Sequence, residues 1–155
     1  MTHTSLINPY GGSLKELLLS EDQAELEKKS AYALTAITLN QRQMCDLELL
    51  MNGGFSPLEG FMNKNDYQGV VQNMRLANGT LWPIPIVLDV SEELLAPIRK
   101  HKKVGLYDPE GFLLAVLEVG DIWKPDKEKE AQMVYGSSNT ENPGVDYLYN
   151  KTHDW

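Results

Sequence analysis

A chain of 155 residues with a net charge of -8 has room for one domain with a substantial core, and its acidity opposes binding to phosphate backbones or anionic membranes. A hydrophobic fraction of 42% and a charged fraction of 23% exclude collagen-like, coiled-coil and disordered acidic chains. No apolar run nears the roughly 18 residues of a membrane span, the N-terminus lacks a signal-peptide pattern, and the single Cys45 cannot form an internal disulfide; a soluble protein in a reducing cytoplasm is the simplest expectation.

Asn8-Pro9-Tyr10-Gly11-Gly12 is a turn-rich start. Ser13 and Glu16 have the spacing of a reciprocal cap, which predicts a helix with Leu14, Leu17 and Leu18 on one face. Ser20 and Gln23 repeat that spacing before a charged stretch through Lys29, read as exposed or poorly ordered. Residues 35–39 are β-prone, and Asn40 with Gln43 caps a helix that turns Met44, Leu47, Leu50 and Met51 inward until Asn52-Gly53 ends it.

Residues 52–62 read Asn-Gly-Gly-Phe-Ser-Pro-Leu-Glu-Gly-Phe-Met. Glycines and a proline force a sharp bend while Phe55 and Phe61 give it apolar anchors, so both rings are expected to be substantially buried. Asn63 then caps a helix to about Asn73 with Tyr67, Val70, Val71 and Met74 along one side.

The second half is strand-rich. Residues 74–77 and 80–82 flank Asn78-Gly79, which predicts a two-residue hairpin turn, and 82–90 continues as a strand whose prolines confine it to an edge or a bulge. Ser91 starts a short helix holding Leu94, Leu95 and Ile98. Residues 104–107 and 112–119 form a longer hairpin across Asp108-Pro109-Glu110-Gly111, its second strand apolar enough for burial on both faces. Ile122-Trp123 extends the β region, Pro125-Asp126 leads into a Lys/Glu-rich helix ending near Tyr135-Gly136, and 137–144 is polar and rich in turn formers. Hairpins following clustered helices argue for α+β with a small, partly closed antiparallel sheet.

Reactive constellations are hard to find. His3, His101 and His153 are far apart, and none has a cysteine or carboxylate at a ligand spacing, which argues against a metal site. The Gly-Gly pairs at 11–12 and 53–54 lack the lysine and Ser/Thr of a phosphate loop and are read as turns. Cys45 falls in an amphipathic pattern and is read as core, while Asp46, Glu48 and Glu59 near the bend do not by themselves make an acid/base pair. Arg99-Lys100-His101-Lys102-Lys103 is the one basic cluster, read as a solvated helix end. Asn78-Gly79-Thr80 and Asn150-Lys151-Thr152 match the glycosylation pattern, a short match read as accidental. No catalytic, cofactor-binding or metal-binding residue is assigned.

Taken together, Asn8-Pro9-Tyr10-Gly11-Gly12, Met44-Cys45-Asp46-Leu47-Glu48 and residues 52–62, 73–90 and 108–122 resemble the N-terminal part of the ATP sulfurylases, or sulfate adenylyltransferases, over nearly the entire chain. The most specific pieces are 52–62 and Met-Arg-Leu-Ala-Asn-Gly-Thr-Leu-Trp-Pro-Ile-Pro-Ile from Met74; many relatives have histidine where this chain has Tyr10. The resemblance implies a small β-rich, PUA-like pseudo-barrel over residues 1–150, with helices packed around it mostly from the N-terminal half. Residues 151–155 would begin a linker to a separate nucleotidyltransferase domain. That domain would convert ATP and sulfate to adenylyl sulfate and pyrophosphate, with magnesium on the nucleotide.

The family's binding residues lie in a Gln-x-Arg-Asn-Pro-x-His-x-x-His stretch and in later basic loops, which do not occur before Trp155. Joining two anions also demands clustered cations, which this acidic segment does not offer. The segment alone is therefore expected to be inactive. Its expected partners are the catalytic domain of the same enzyme and, in the full-length protein, further copies, within cytoplasmic sulfate assimilation or sulfur metabolism. A PUA-like RNA-binding module and a stand-alone protein-interaction domain are the alternative readings, the first opposed by the net charge.

Overall fold

Most helix starts carry capping chemistry in a computed structural model that describes residues 7–155. Ser20 opens α1 (Glu21–Ala31), where the Gln23 side chain accepts from the Ser20 N–H, so the charged stretch is an ordered helix. After β1 (Thr35–Thr38), Asn40 accepts from the Gln43 N–H at 2.9 Å and starts α2 (Gln41–Met51). Asn63 does the same for the Asp66 N–H ahead of α3 (Lys64–Asn73). A 3-10 turn, Glu92–Leu94, feeds α4 (Leu95–His101), and the basic cluster is the solvated end of that helix. Asp126 caps α5 (Lys127–Tyr135), which ends at Gly136.

The sheet has the order β1-β2-β3, with β2 (Lys103–Tyr107) at its centre and β3 (Leu113–Glu118) beyond it. β2 and β3 form the expected antiparallel hairpin, with a bulge at Leu106/Tyr107. β1, however, runs parallel to β2, pairing Thr35 with Val104 through Thr38 with Tyr107, so the sheet is mixed and not wholly antiparallel. Parallel neighbours need a long crossover, and α2, the bend, α3 and α4 supply it. The α+β class stands.

Five local expectations are corrected. Residues 14–20 form no helix but an extended arm, because the rest of the fold takes its donors: Lys15 N–H donates to Ser56 Oγ at 2.9 Å and Leu17 N–H to the Met51 carbonyl at 2.8 Å. The turn near Asn78 is centred one residue earlier, closed by Gly79 N–H on the Leu76 carbonyl with only Gly79 at positive φ (86°), and it supports a single bridge, Arg75 to Leu81. Residues 82–90 and Ile122-Trp123 lie outside the strands; Pro83 and Pro85 remove two donors that a ladder would use. β3 is half-exposed, not buried on both faces. Finally, α6 (Pro143–Asn150) begins inside the supposed turn region, with Asn142 capping it and Pro143 in its first turn.

Two apolar clusters make the body. Ile37, Leu39, Leu47, Val90, Leu95, Ile98, Val104 and Leu106 join the sheet to α2 and α4. Leu50, Leu58, Met62, Val70, Leu76, Trp82 and Ile86 lie under the bend and α3. Phe61 packs against both clusters, and Phe55 meets Trp82 edge-on at 5.8 Å; both phenylalanines are half-buried, less than their sequence setting suggested. Each fully buried aliphatic side chain contributes roughly 1.5–3 kcal/mol. Gly53 sits at φ 81°, and a Cβ there would lie 2.8 Å from Leu14, so the arm closes directly over the bend. The Ser56–Pro57 peptide is cis.

A third, smaller cluster of Ala131, Val145 and Leu148 holds α5 to α6. The end of the chain folds back, with His153 N–H donating to Asp89 Oδ2 at 2.7 Å and Val90 N–H to the Trp155 carbonyl at 2.6 Å. No helix among the described residues is long and apolar enough to cross a membrane.

Candidate functional site

Polar side chains from four helices converge on the wall of a cavity of about 1350 Å³. On α2, Arg42 and Asp46 are one helical turn apart on the same face, 4.0 Å from Nε to Oδ2. The Arg42 guanidinium lies 4.6 Å from the ring centre of Tyr147 on α6. On α3, the Tyr67 hydroxyl donates to Glu130 Oε2 of α5 at 2.7 Å, and its ring centre is 5.6 Å from that of Trp123. The indole N–H of Trp123 is buried without a hydrogen-bond partner among the described residues. Beside them Gln43, whose side chain closes the capping box of α2 with Asn40, also donates to Asp89 Oδ1 at 2.9 Å, tying α2 to the segment before α4.

Burial dominates the electrostatics here. Glu130 is only 6% exposed, and desolvation holds its carboxyl above the usual carboxylate range, against the opposing pull of the Tyr67 hydrogen bond and then of Arg42 and Lys127. Asp46 is raised for the same reason, offset by Arg42. The phenols of Tyr67 and Tyr135 are also pushed up, first by burial. Such a cluster can hold a proton on Glu130 and fix α5 to α3. It has no nucleophile next to a base, and its one guanidinium is already shared between Asp46 and Tyr147. It therefore suits helix positioning better than bond making.

The residues weighed from the sequence scatter. Asp46 joins the cluster, but Glu48 is exposed and Glu59 pairs with Lys15 of the arm. Cys45 is exposed, because its place on α2 turns away from both apolar clusters; it is not core. His101 and His153 are exposed; His153 borders the cavity with its N–H on Asp89, whereas His101 is not part of the wall, and His3 lies outside the described residues. Gly11, Gly12 and Gly53 have positive φ, as turn glycines do. Arg42, Tyr67, Trp123, Glu130 and Tyr147 were not singled out by the sequence. The one trace was Glu130 itself, a charge set beside Ala131 and one turn before Val134 on the only apolar stripe of α5.

Comparison with known proteins gives three results. The profile of the PUA-like domain family matches residues 7–155. The sulfate adenylyltransferase of Neosartorya fischeri is 47% identical over 154 residues, covering 95% of this chain and 26% of that protein. That of Coccidioides immitis is 49% identical over 152 residues, with the same coverage. The chain thus spans about a quarter of the length of these relatives. Among solved structures, one titled a hexameric APS kinase from Thiobacillus denitrificans is similar with a TM-score of 0.69 at 39% identity, over 78% of this chain and 24% of that one.

Proposed function

Because the chain belongs to the PUA-like domain family and corresponds to the N-terminal part of sulfate adenylyltransferases, we propose that it serves such an enzyme as a non-catalytic scaffold, holding a separate catalytic domain that joins ATP and sulfate to give adenylyl sulfate and pyrophosphate. One observation carries the reading: identity near one half over almost all of this chain, against only 26% of each relative. The site chemistry supports the division of labour. Sulfate and ATP are anions, whereas the cavity cluster brings two carboxylates to one guanidinium.

On this reading ATP with magnesium is not held by this segment. Among the described residues no group of three His, Cys, Asp or Glu side chains could hold a metal ion, and the buried carboxyl of Glu130 is tied to Tyr67. Nucleotide and magnesium belong, on this reading, to the remainder of the enzyme, which works in cytoplasmic sulfate assimilation and assembles from several copies. The test is sulfate-dependent ATP–pyrophosphate exchange by the 155-residue chain. No turnover is expected; rates near those of a complete sulfate adenylyltransferase would refute the scaffold assignment.

A further inference from the structure

The arm leaves its leucines facing out. Leu14, Leu18 and Leu19 are 58%, 57% and 53% exposed, and Leu17 and Leu49 are exposed beside them. They lie along one stretch of surface: Leu14 and Leu49 flank the Gly53-Gly54 step, each within 3 Å of where a Cβ would stand, Leu17 N–H is bonded to Met51 at the end of α2, and Leu18 and Leu19 are the next residues of the arm. Leu17, Leu18 and Leu19 also form part of the cavity wall, so the strip is one lip of a recess.

The ordering of this strip is what calls for an occupant. Leucines free to collapse would bury themselves, yet here backbone bonds to Met51 and Ser56 and an ion pair from Lys15 to Glu59 hold the arm with these side chains largely exposed. We propose that the strip of Leu14, Leu17, Leu18, Leu19 and Leu49 is the seat of the catalytic remainder of a sulfate adenylyltransferase, an inference that rests on the scaffold reading above. Two features favour that occupant over a second copy. A chain of charge -8 is repelled by its own copies. Relatives nearly four times as long carry the remainder on the same polypeptide, where millimolar effective concentration lets a modest apolar strip suffice.

The experiment grafts this chain in place of the matching quarter of the Neosartorya fischeri enzyme and measures exchange activity, with and without Leu18→Glu plus Leu19→Glu. The parent graft should be active, and the double variant should lose about tenfold or more, since a buried unpaired carboxylate opposes docking. Leu26→Glu, at an exposed leucine of α1 outside the strip, should leave activity intact. Thermal melts of the same variants in the 155-residue chain should be unchanged, which separates docking from folding. An active graft indifferent to Leu18→Glu plus Leu19→Glu overturns the seat alone, and an inactive parent graft overturns the scaffold reading with it. Sedimentation of the 155-residue chain should show a monomer; a dimer dispersed by the double variant would assign the strip to a second copy and overturn the proposal.

Discussion

The body of the molecule and its last two helices are held by different physics. Around the sheet, α2 and the bend, two apolar clusters exclude water over fifteen buried side chains, a force that is large and indifferent to direction. The α5–α6 pair has only three buried apolar residues of its own. It reaches the body through directional contacts: Glu130 with Tyr67, Arg42 over Tyr147, and, just past α6, the His153 N–H on Asp89. One region should answer to lost volume, the other to lost donors and to pH.

Leu50→Ala should cause the largest loss, about 2–5 kcal/mol, because it opens a cavity in place of one of the largest fully buried side chains; the thermal midpoint of the entire chain should fall. Tyr67→Phe comes next. It strands the Glu130 carboxyl without its donor, costing about 1–3 kcal/mol, and amide exchange should rise in α5 and α6 before it rises in the sheet. Val145→Ala removes two buried carbons, worth roughly 1.6 kcal/mol, and should loosen the same pair of helices. Loss of protection in the sheet first would break the contrast between the two regions.

A smaller effect should separate the regions by pH. Burial raises the Glu130 carboxyl above its ordinary value, so the folded state binds that proton more tightly than the unfolded chain. Its contribution is complete below the ordinary carboxyl range and is lost as pH rises through the raised folded value. Melts across that window should show a decline in stability that is smaller in Glu130→Gln, which stays neutral and keeps a partner for Tyr67, the remainder coming from Asp46, whose carboxyl burial also raises. The smallest effect belongs to Lys15→Ala: its partner Glu59 is fully exposed, and the melting midpoint should not move measurably.

Much of this fold could be read from local chemistry, and the exceptions share a cause. Asn40, Asn63 and Asp126 announced α2, α3 and α5 because a short side chain that accepts from the first turn acts within four residues. Ser13 and Glu16 offered the same signal, and there it failed. The donors of Lys15 and Leu17 had better use on Ser56 and Met51, which lie far along the chain. The parallel pairing of β1 with β2 was hidden for the same reason. α6 was missed differently, since Pro143-Gly144 satisfies a turn and a helix start equally well. The cluster at Glu130 was hardest to see: Tyr67 and Glu130 are 63 positions apart, and nothing but tertiary packing makes them neighbours.

The arm laid across the bend has a further meaning in terms of the order in which the protein is made. Tyr10 anchors on the carbonyl of Leu81, Lys15 on Ser56 and Leu17 on Met51. A chain emerging N-terminus first must therefore hold the arm in waiting until Met51 and Ser56 have been made, and Tyr10 until Leu81 has followed. Until then the arm's row of leucines is what a nascent-chain chaperone or a protease would meet.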